Sequence, residues 1–148
     1  MKNSERPGFT LLELTCALAL IGIILGIAAP PFSSARDILA VRAARDAIVA
    51  ASARARASAI HHGGADMQID AAAGTVRITS RDRVIDESVA LTGMLAVLIQ
   101  LDGTQATSAT LVYDGLGLGR VASRTISLRR RGAVGGVTFS SYGRPRVW

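Results

Sequence analysis

A single carboxylate, Glu13, lies near the start of a membrane-length apolar run that covers residues 8–29. An ionised side chain in such a run costs roughly 2.5–3.5 kcal/mol on insertion scales, so Glu13 is expected to have a partner. Cutting the chain between Gly8 and Phe9 would create a charged amine one helical turn away, in the same chain or in a neighbouring copy. The pattern therefore predicts cleavage after Gly8 and pairing of the new Phe9 amine with Glu13.

Other arrangements that could support catalysis or metal binding are weak. His61 and His62 are adjacent, so on a helix they point in different directions, and the sole cysteine, Cys16, lies inside the apolar run. The glycine-rich stretch 115–119 has neither the spacing of a dinucleotide loop nor a phosphate-binding lysine. We therefore predict that the chain is not an enzyme and holds no metal or other cofactor.

The C-terminal quarter, residues 115–148, contains seven arginines and no acidic residue, in a chain of net charge +6. Alternation along a strand would place Arg129 and Arg131 on one face and Arg130 on the other, so at least part of this group is exposed. One interpretation is a solvated edge strand whose charges discourage aggregation. The other is a binding site for a phosphate backbone or another acidic partner, because arginine binds phosphate in a bidentate way.

A second candidate binding group, near residue 148, consists of Gly143 and the basic residues Arg144 and Arg146. Tyr142 and Trp148 flank these arginines and have rings on which exposed bases could stack. Sixteen of the 17 basic residues are arginine, so an Arg-x-Arg pattern also arises from composition alone. The pattern indicates DNA or another acidic partner without choosing between them.

The apolar run sets the organisation of the chain. Residues 9–29 would extend about 31 Å at about 1.5 Å per residue, which is enough to cross a bilayer core. Lys2 and Arg6 would hold the preceding residues in the cytoplasm by the positive-inside rule. We predict a leader at 1–8, a transmembrane and assembly helix at 9–32, and an exported domain at 33–148. A conventional secretory signal is disfavoured because Pro30 and Pro31 directly follow the small residues at which it could be cleaved.

Beyond a kink predicted at Pro30 and Pro31, an Ala- and Arg-rich amphipathic helix should continue to about residue 62, where Gly63 and Gly64 end it. Its predicted apolar stripe consists of Ile38, Val41, Ile48, Val49, Ser52, Ala55, Ala59 and Ile60. Alternating patterns then predict strands at 75–80, 95–101, 110–113, 124–130 and 137–141, a weaker one at 67–71 and another around 84–91. The fold class is α+β, a long N-terminal helix packed on a small antiparallel sheet or β-sandwich.

The sequence resembles a known family at both ends. Residues 8–13, Gly-Phe-Thr-Leu-Leu-Glu, look like the processing site of type IV pilins and type II secretion pseudopilins. Residues 113–115, 124–129 and 137–147 resemble the closing half of the GspH/FimT family of minor pseudopilins and pilins. The resemblance implies cleavage and N-methylation at Phe9 by prepilin peptidase. It also implies a single-pass protein of the bacterial inner membrane whose periplasmic domain enters a filament through Glu13.

Three functions remain open at this point. The first is a structural minor pseudopilin near the tip of the type II secretion pseudopilus, with other major and minor pseudopilins as partners. The second is a FimT-like minor type IV pilin that binds DNA, since Gly143 to Arg146 matches the Gly-Arg-x-Arg element associated with DNA capture in that branch. The third is an anchored enzyme or solute-binding module.

Overall fold

The computed structural model describes residues 8–80, 83–88, 91, 97–103, 106–120 and 123–148, with the backbone alone at 28–31 and 83–88. The predicted leader residues Lys2 and Arg6 lie outside these ranges. The chain divides into two compact units, Met1–Ala35 and Arg36–Trp148.

Helix α1 runs over Leu11–His62. The helix is assigned without interruption at Pro30 and Pro31, so the predicted local break does not occur, and a kink there stays a prediction. Gly63 ends α1 with a φ of 81°, in the left-handed region that glycine adopts at low cost. The predicted C-terminus of the helix is therefore confirmed.

Within the second unit, α1 buries a stripe made mainly of small side chains. Ala44, Ile48, Ala51, Ala55 and Ala59 have no exposed surface. Their spacing of three or four residues keeps them on one helix face, and their short side chains let the helix lie close to the sheets. The core-facing stripe thus contains more alanine than the sequence suggested.

Two members of the predicted stripe are wrong. Ile38 and Ile60 are exposed, whereas Ala40 and Asp37 are buried in their place. The predicted stripe was defined by the largest apolar residues, so it is rotated away from the observed contact face. Close packing of a helix on a sheet requires small side chains at the contact as well as apolar ones.

Among the described residues, eight strands form two four-stranded antiparallel sheets. The strands are β1 (Gly64–Asp70), β2 (Thr75–Ser80), β3 (Arg83–Ser88), β4 (Leu98–Leu101), β5 (Ser108–Asp114), β6 (Arg124–Arg130), β7 (Ala133–Phe139) and β8 (Pro145–Val147). The first sheet has the order β3-β2-β1-β5 and the second the order β4-β6-β7-β8. The open choice between one sheet and two is thereby decided in favour of two.

One hydrophobic core joins α1 to both sheets. On the second sheet, a Cβ placed on Gly135 of β7 would lie 3.1 Å from Val41 Cγ1. On the first sheet, the buried Tyr113 of β5 lies under Arg56 of α1. The α+β fold expected from the sequence, a long apolar N-terminal helix packed on antiparallel sheets, is confirmed.

The strand predictions vary in accuracy. β2 and β6 have the predicted bounds, and β1, β3 and β5 overlap the predicted segments. Residues 89–90 and 95–96 of two predicted strands lie outside the described residues. The prediction at 137–141 is shifted, since β7 begins at Ala133 and ends at Phe139, and β8 was not predicted.

Candidate assembly and binding sites

The N-terminus of α1 is closed by a reciprocal pair of hydrogen bonds between Thr10 and Glu13. The Glu13 N–H donates to Thr10 Oγ1 at 3.2 Å, and the Thr10 N–H donates to Glu13 Oε2 at 3.1 Å. The Thr10 hydroxyl also lies 3.1 Å from the same carboxylate oxygen. This is a capping box, which satisfies two backbone donors at a helix start.

The capping box changes the reading of Glu13. Thr10 was not among the partners predicted for Glu13, although threonine three residues before glutamate is a recognised signature of a capping box. Glu13 therefore has a local partner before any cleavage. A polar N–H and a hydroxyl do not neutralise the charge of the carboxylate. Pairing of Glu13 with a Phe9 amine therefore stays a prediction.

The bond between Gly8 and Phe9 is open to a peptidase. Phe9 is 89% exposed, and a Cβ placed on Gly8 would meet nothing within 4 Å. Both residues precede the helix, so the chain there is not held in the α1 hydrogen-bond ladder. The geometry suits a cleavage site.

The first unit exposes its apolar side chains all around the helix. The exposed large residues are Leu11, Leu12, Leu14, Leu18, Leu20, Ile21, Ile23, Ile24, Leu25 and Ile27. This stretch of α1 is long and apolar enough to cross a membrane. A helix that is apolar on every side needs lipid or other helices around it.

In the second unit, two of the three clustered arginines contact Asp37, and Arg130 is much the closer of the two. Arg130 Nε lies 2.9 Å from Asp37 Oδ1, and Arg131 Nη1 lies 3.8 Å from Asp37 Oδ2. Asp37 is almost fully buried, so these cations compensate a carboxylate that has left water. Arg129 alone of the three lies on the outer, exposed face of β6.

The alternation argument for these arginines was right for Arg129 and Arg130 and wrong for Arg131. Arg131 follows β6 in a turn, with a φ of 49°, and it reaches the same carboxylate as Arg130. A strand pattern cannot be extended past the residue at which the chain turns.

Gly143 and Arg144 form the turn between β7 and β8. Gly143 has a φ of 74°, its N–H donates to the Ser140 carbonyl at 2.8 Å, and the Ser140 N–H donates to the Arg144 carbonyl at 3.1 Å. A Cβ on Gly143 would lie 2.6 Å from Tyr113 Cε1. The glycine of the Gly-Arg-x-Arg element is therefore explained by the turn and its packing.

The side chains of Arg144 and Arg146 are exposed. In the part of the chain that the structure describes, neither makes an ion pair. Arg144 lies in the connection before β8, and Arg146 lies within β8 opposite Thr138 of β7. They are the arginines best placed to meet an anionic partner.

The structure does not bring the two arginine groups together. Arg146 lies opposite Thr138, whereas Arg129 lies opposite Val134 on the other side of β7. Four residues along a strand and two strand spacings separate them by roughly 16 Å. A ligand that contacts both groups must therefore be extended.

Arg56 is a contributor that the sequence analysis missed. Its Nη2 donates to the Gly143 carbonyl at 2.9 Å, and its guanidinium carbon lies 5.9 Å from the centroid of the Tyr113 ring. Burial raises the pKa of the Tyr113 hydroxyl above its ordinary value of 10.0, which Arg56 opposes. The Arg56 guanidinium therefore holds the β7–β8 turn against the first sheet.

Asp114 organises the glycine-rich loop that follows β5. Its Oδ1 accepts hydrogen bonds from the N–H groups of Leu116 and Leu118 at 3.0 and 2.9 Å, and its Oδ2 accepts from Arg120 Nε at 3.0 Å. The hydrogen bond from Leu118, followed by Arg120, lowers the pKa of Asp114 below 3.8. The loop is thus an ordered connection from the first sheet to the second.

Asp102 has a similar role at the end of β4. Its Oδ1 accepts from the Thr125 N–H at 2.7 Å, and its Oδ2 pairs with Arg124 Nη1 at 2.7 Å. The hydrogen bond from Thr125 lowers the pKa of Asp102 below 3.8, and Arg124 adds to the effect. The pair ties β4 to the start of β6.

No group of three or more histidine, cysteine, aspartate or glutamate side chains that could hold a metal ion occurs among the described residues. His62 Nδ1 lies 3.0 Å from the Ser58 carbonyl, a local contact within α1.

Comparison with known proteins gives information on the segment that contains Gly8, Phe9 and Glu13. Residues 4–29 match the family model for the prokaryotic N-terminal methylation motif. The match contains the Gly8–Phe9 bond, Thr10 and Glu13, and it indicates a type IV pilin-like or pseudopilin segment processed by prepilin peptidase. It stops before Arg36, where the second unit begins. No curated protein and no solved structure matches the chain significantly.

Proposed function

We propose that this chain is a minor pseudopilin, a structural subunit of the type II secretion pseudopilus that is placed near its tip. The N-terminal methylation motif carries the proposal, because the accessible Gly8–Phe9 bond, the capped helix and the apolar surface of residues 11–27 lie within it. The GspH-like pattern of the second unit supports a minor rather than a major subunit. The protein resides in the inner membrane with its domain in the periplasm.

Processing gives the first test. Prepilin peptidase cuts after Gly8, and the new Phe9 amine is methylated. Intact-mass measurement on protein from the membrane fraction should show a chain that begins at Phe9 with one added methyl group. An uncut chain, or a mature N-terminus at residue 30 or beyond, would contradict the proposal.

The role of Glu13 gives the second test. If its charge pairs with a Phe9 amine during assembly, Glu13→Gln should be cut and remain in the membrane but enter filaments poorly. Glutamine still completes the capping box, so this variant removes the charge and keeps the cap. Incorporation is measured by crosslinking to the other pilin-like subunits.

Thr10→Val is the matched control for that test. It removes the capping hydroxyl, worth about 0.5–2 kcal/mol of helix stability, and leaves the Glu13 charge. Near-normal incorporation of Thr10→Val beside poor incorporation of Glu13→Gln assigns the role to the charge. Normal incorporation of Glu13→Gln would remove it.

A second function, a FimT-like minor pilin that binds DNA through its C-terminal arginines, is favoured by one observation. Arg144 and Arg146 are exposed beside the β7–β8 turn and make no ion pair among the described residues. Against it, Arg130 and Arg131 are engaged by Asp37. Arg144 and Arg146 are therefore the best-supported part of the proposed site. Arg131 is 76% exposed and only 3.8 Å from Asp37, so it stays accessible, and Arg129 lies some distance from the pair.

DNA binding is tested by fluorescence anisotropy with duplexes of unrelated sequence over a salt series, using the full chain in detergent. A phosphate-contact site predicts that changing Arg144 and Arg146 to Gln weakens binding and reduces the salt slope by up to about 2 units. Changing Arg36 and Arg42 to Gln is the control, since it removes the same charge from exposed positions on α1. We expect both variants to behave alike and bind at micromolar concentrations or weaker, as a basic surface does through charge alone.

A further inference from the structure

Exposed arginines lie at the end of the second unit where α1 enters it. Arg130 Nε is 2.9 Å from Asp37 Oδ1, so the two-residue turn between β6 and β7 lies beside the first turn of α1 in this unit. The exposed side chains at this end include Arg36 and Leu39 on α1, Arg131 in the turn, and Arg129 two residues before it. These four residues are called the Arg131 patch below.

The fold uses the charge of the Arg131 patch only in part. Arg36 and Arg129 make no ion pair with any other residue that the structure describes. Arg131 is 76% exposed, and its Nη1 is 3.8 Å from Asp37 Oδ2, whereas Arg130 contacts the same carboxylate at shorter range. The patch therefore has a net positive charge that attracts an anionic surface.

The backbone at Arg131 does not favour an arginine. Its φ is 49°, in the left-handed region that glycine and asparagine adopt more readily than other residues. A strained residue of this kind is a reason to look for a function of its side chain. The exposed guanidinium of Arg131 is the group that the turn presents.

The length of chain before the Arg131 patch keeps it close to a membrane that holds the first unit. Arg36 is seven residues beyond Ala29, the last residue of the predicted apolar span. Even a fully extended link of this length reaches only about 25 Å, at about 3.6 Å per residue. Arg36 therefore stays within that distance of the lipid headgroups at any angle between the two units.

The β7–β8 turn lies at the other end of the second unit. Arg56, which donates to the Gly143 carbonyl of that turn, is twenty residues beyond Arg36 on α1. A helical segment of this length is about 30 Å long at about 1.5 Å per residue. The arginines beside the β7–β8 turn are thus well separated from the Arg131 patch and provide a matched comparison.

Leu39 gives the patch an apolar member. Its side chain is 62% exposed and lies one helical turn from Arg36. Exposed apolar residues beside arginines are typical of surfaces that lie in a membrane interface, where the apolar groups reach the acyl boundary and the arginines meet phosphates. A nucleic acid would use the arginines and leave Leu39 in water, so the patch fits a lipid surface better.

We propose that the Arg131 patch binds the anionic phospholipid headgroups of the membrane that holds the first unit. Arg36, Arg129 and Arg131 lie beside headgroup phosphates, and Leu39 lies at the acyl boundary. The inference rests on the membrane residence of the proposed function and not on the type of filament. These contacts hold the second unit at the membrane surface until the subunit leaves the lipid.

A fluorophore in the β6–β7 turn tests this contact. Cys16 is the sole cysteine, so Cys16→Ala with Gly132→Cys gives one labelling site, at a position where a Cβ meets nothing within 4 Å. The full chain, labelled there with an environment-sensitive dye, is reconstituted in nanodiscs of phosphatidylcholine with increasing fractions of phosphatidylglycerol. Emission should shift to the blue and rise about twofold with the anionic fraction. The change should disappear in about 1 M salt, where the screening length is about 3 Å.

Paired variants locate the contact. Arg36→Gln with Arg131→Asn should reduce the emission change at least about fivefold, because each arginine near an anionic surface contributes about fivefold in affinity. Asparagine tolerates the left-handed backbone at 131, and circular dichroism verifies the fold. Arg36→Gln alone, at an exposed position, should give a smaller loss in the same direction. Arg144→Gln with Arg146→Gln removes the same charge at the other turn and should keep the response.

Equal emission in neutral and anionic nanodiscs, or equal losses in the two double variants, would overturn the proposal. The same dye at Tyr142→Cys, an exposed position in the β7–β8 turn, should not respond, and an equal response there would show that the contact is not made by the patch. A single-stranded oligonucleotide that produces the same change in neutral nanodiscs, with the same sensitivity to Arg131→Asn, would also overturn it by making the partner nucleic acid.

Failure of this inference is distinguishable from failure of the proposed function. A full chain that does not insert into nanodiscs would contradict the proposed membrane residence and, with it, the inference. An inserted chain whose emission does not depend on phosphatidylglycerol would contradict the inference alone.

Discussion

Gly143 illustrates how one residue can satisfy a motif for reasons unrelated to ligand binding. Its left-handed backbone and its contact with the Tyr113 ring both exclude a Cβ. A glycine is therefore expected at this position of the turn, whether or not the arginines that follow it bind a ligand. The arginines, rather than the glycine, carry any argument for an anionic partner.

Gly143→Ala should lower the free energy of unfolding by about 1–3 kcal/mol, since alanine must adopt a φ of 74° and displace Tyr113. Denaturant unfolding followed by circular dichroism measures the change. Gly132→Ala, at a turn where a Cβ meets nothing within 4 Å, is the control and should be near neutral. Equal stability of Gly143→Ala and wild type would show that the turn is not under this constraint.

The Asp37 pair makes a second prediction at this scale. Arg130→Gln leaves a nearly buried carboxylate with only the more distant Arg131, and should destabilise the fold by about 1–3 kcal/mol. Asp37→Asn removes the charge that needs compensation and should cost less. The order of the two effects, measured by denaturant unfolding, distinguishes a compensated buried charge from a surface pair. The reverse order would contradict this account.

At the scale of elements, two aspartates fasten the connections between strands. Asp102 ties β4 to β6, and Asp114 shapes the loop between the two sheets. Hydrogen bonds lower the pKa of both carboxyls below 3.8, so the ionised forms stabilise the folded state. This contribution is present above the unfolded pKa and is lost as the pH falls through the lower, folded pKa.

The free energy of unfolding should therefore decrease as the pH falls below about 3.8, and the decrease should be smaller in a variant with Asp102→Asn and Asp114→Asn. Denaturant unfolding between pH 7 and pH 2.5 measures it. Parallel curves for wild type and variant over that range would show that these carboxyls do not contribute to acid sensitivity.

The elements also show which features the sequence could predict. In β2 and in the middle of β6, buried residues alternate with more exposed ones, and the bounds of both strands were predicted correctly. β7 was displaced because Gly135 and Gly136 have low strand propensity, although Val41 and Trp148 require that absence of side chains. β8 is three residues long and begins with proline, which gives no local strand signal.

The candidate sites also differ in whether a local sequence pattern indicates them. The Gly8, Phe9 and Glu13 motif lies within six consecutive residues, so the sequence alone could indicate it, and the roles of these residues stay predictions. The capping partner Thr10 was missed. The Arg130 to Asp37 pair and the Arg56 to Gly143 contact join residues far apart in the chain. Such contacts depend on how α1 packs on the sheets, and a local sequence pattern does not predict that packing.

For the whole molecule, the two units differ in what surrounds them. The buried core residues lie between Asp37 and Phe139, all within the second unit, whereas the first unit exposes apolar residues on every side. One unit thus carries its own core, and the other requires lipid or neighbouring helices.

Residues 33–148 alone should therefore form a soluble domain with a single cooperative thermal transition. Circular dichroism and size-exclusion chromatography verify the folded, monomeric state. A broad transition or aggregation of this fragment would contradict the assignment of the core to the second unit.

The Asp37 to Arg130 bond lies at the first turn of α1 that belongs to the second unit. If a pulling force were applied to the helix on the N-terminal side of Arg36, Asp37 would be among the first residues of the second unit to bear it. The helix is then loaded in shear along its buried stripe, so several contacts must fail together. The ion pair acts as a mechanical clamp at the point where the load is applied, and its removal should lower the force at which the domain yields more than its effect on equilibrium stability suggests.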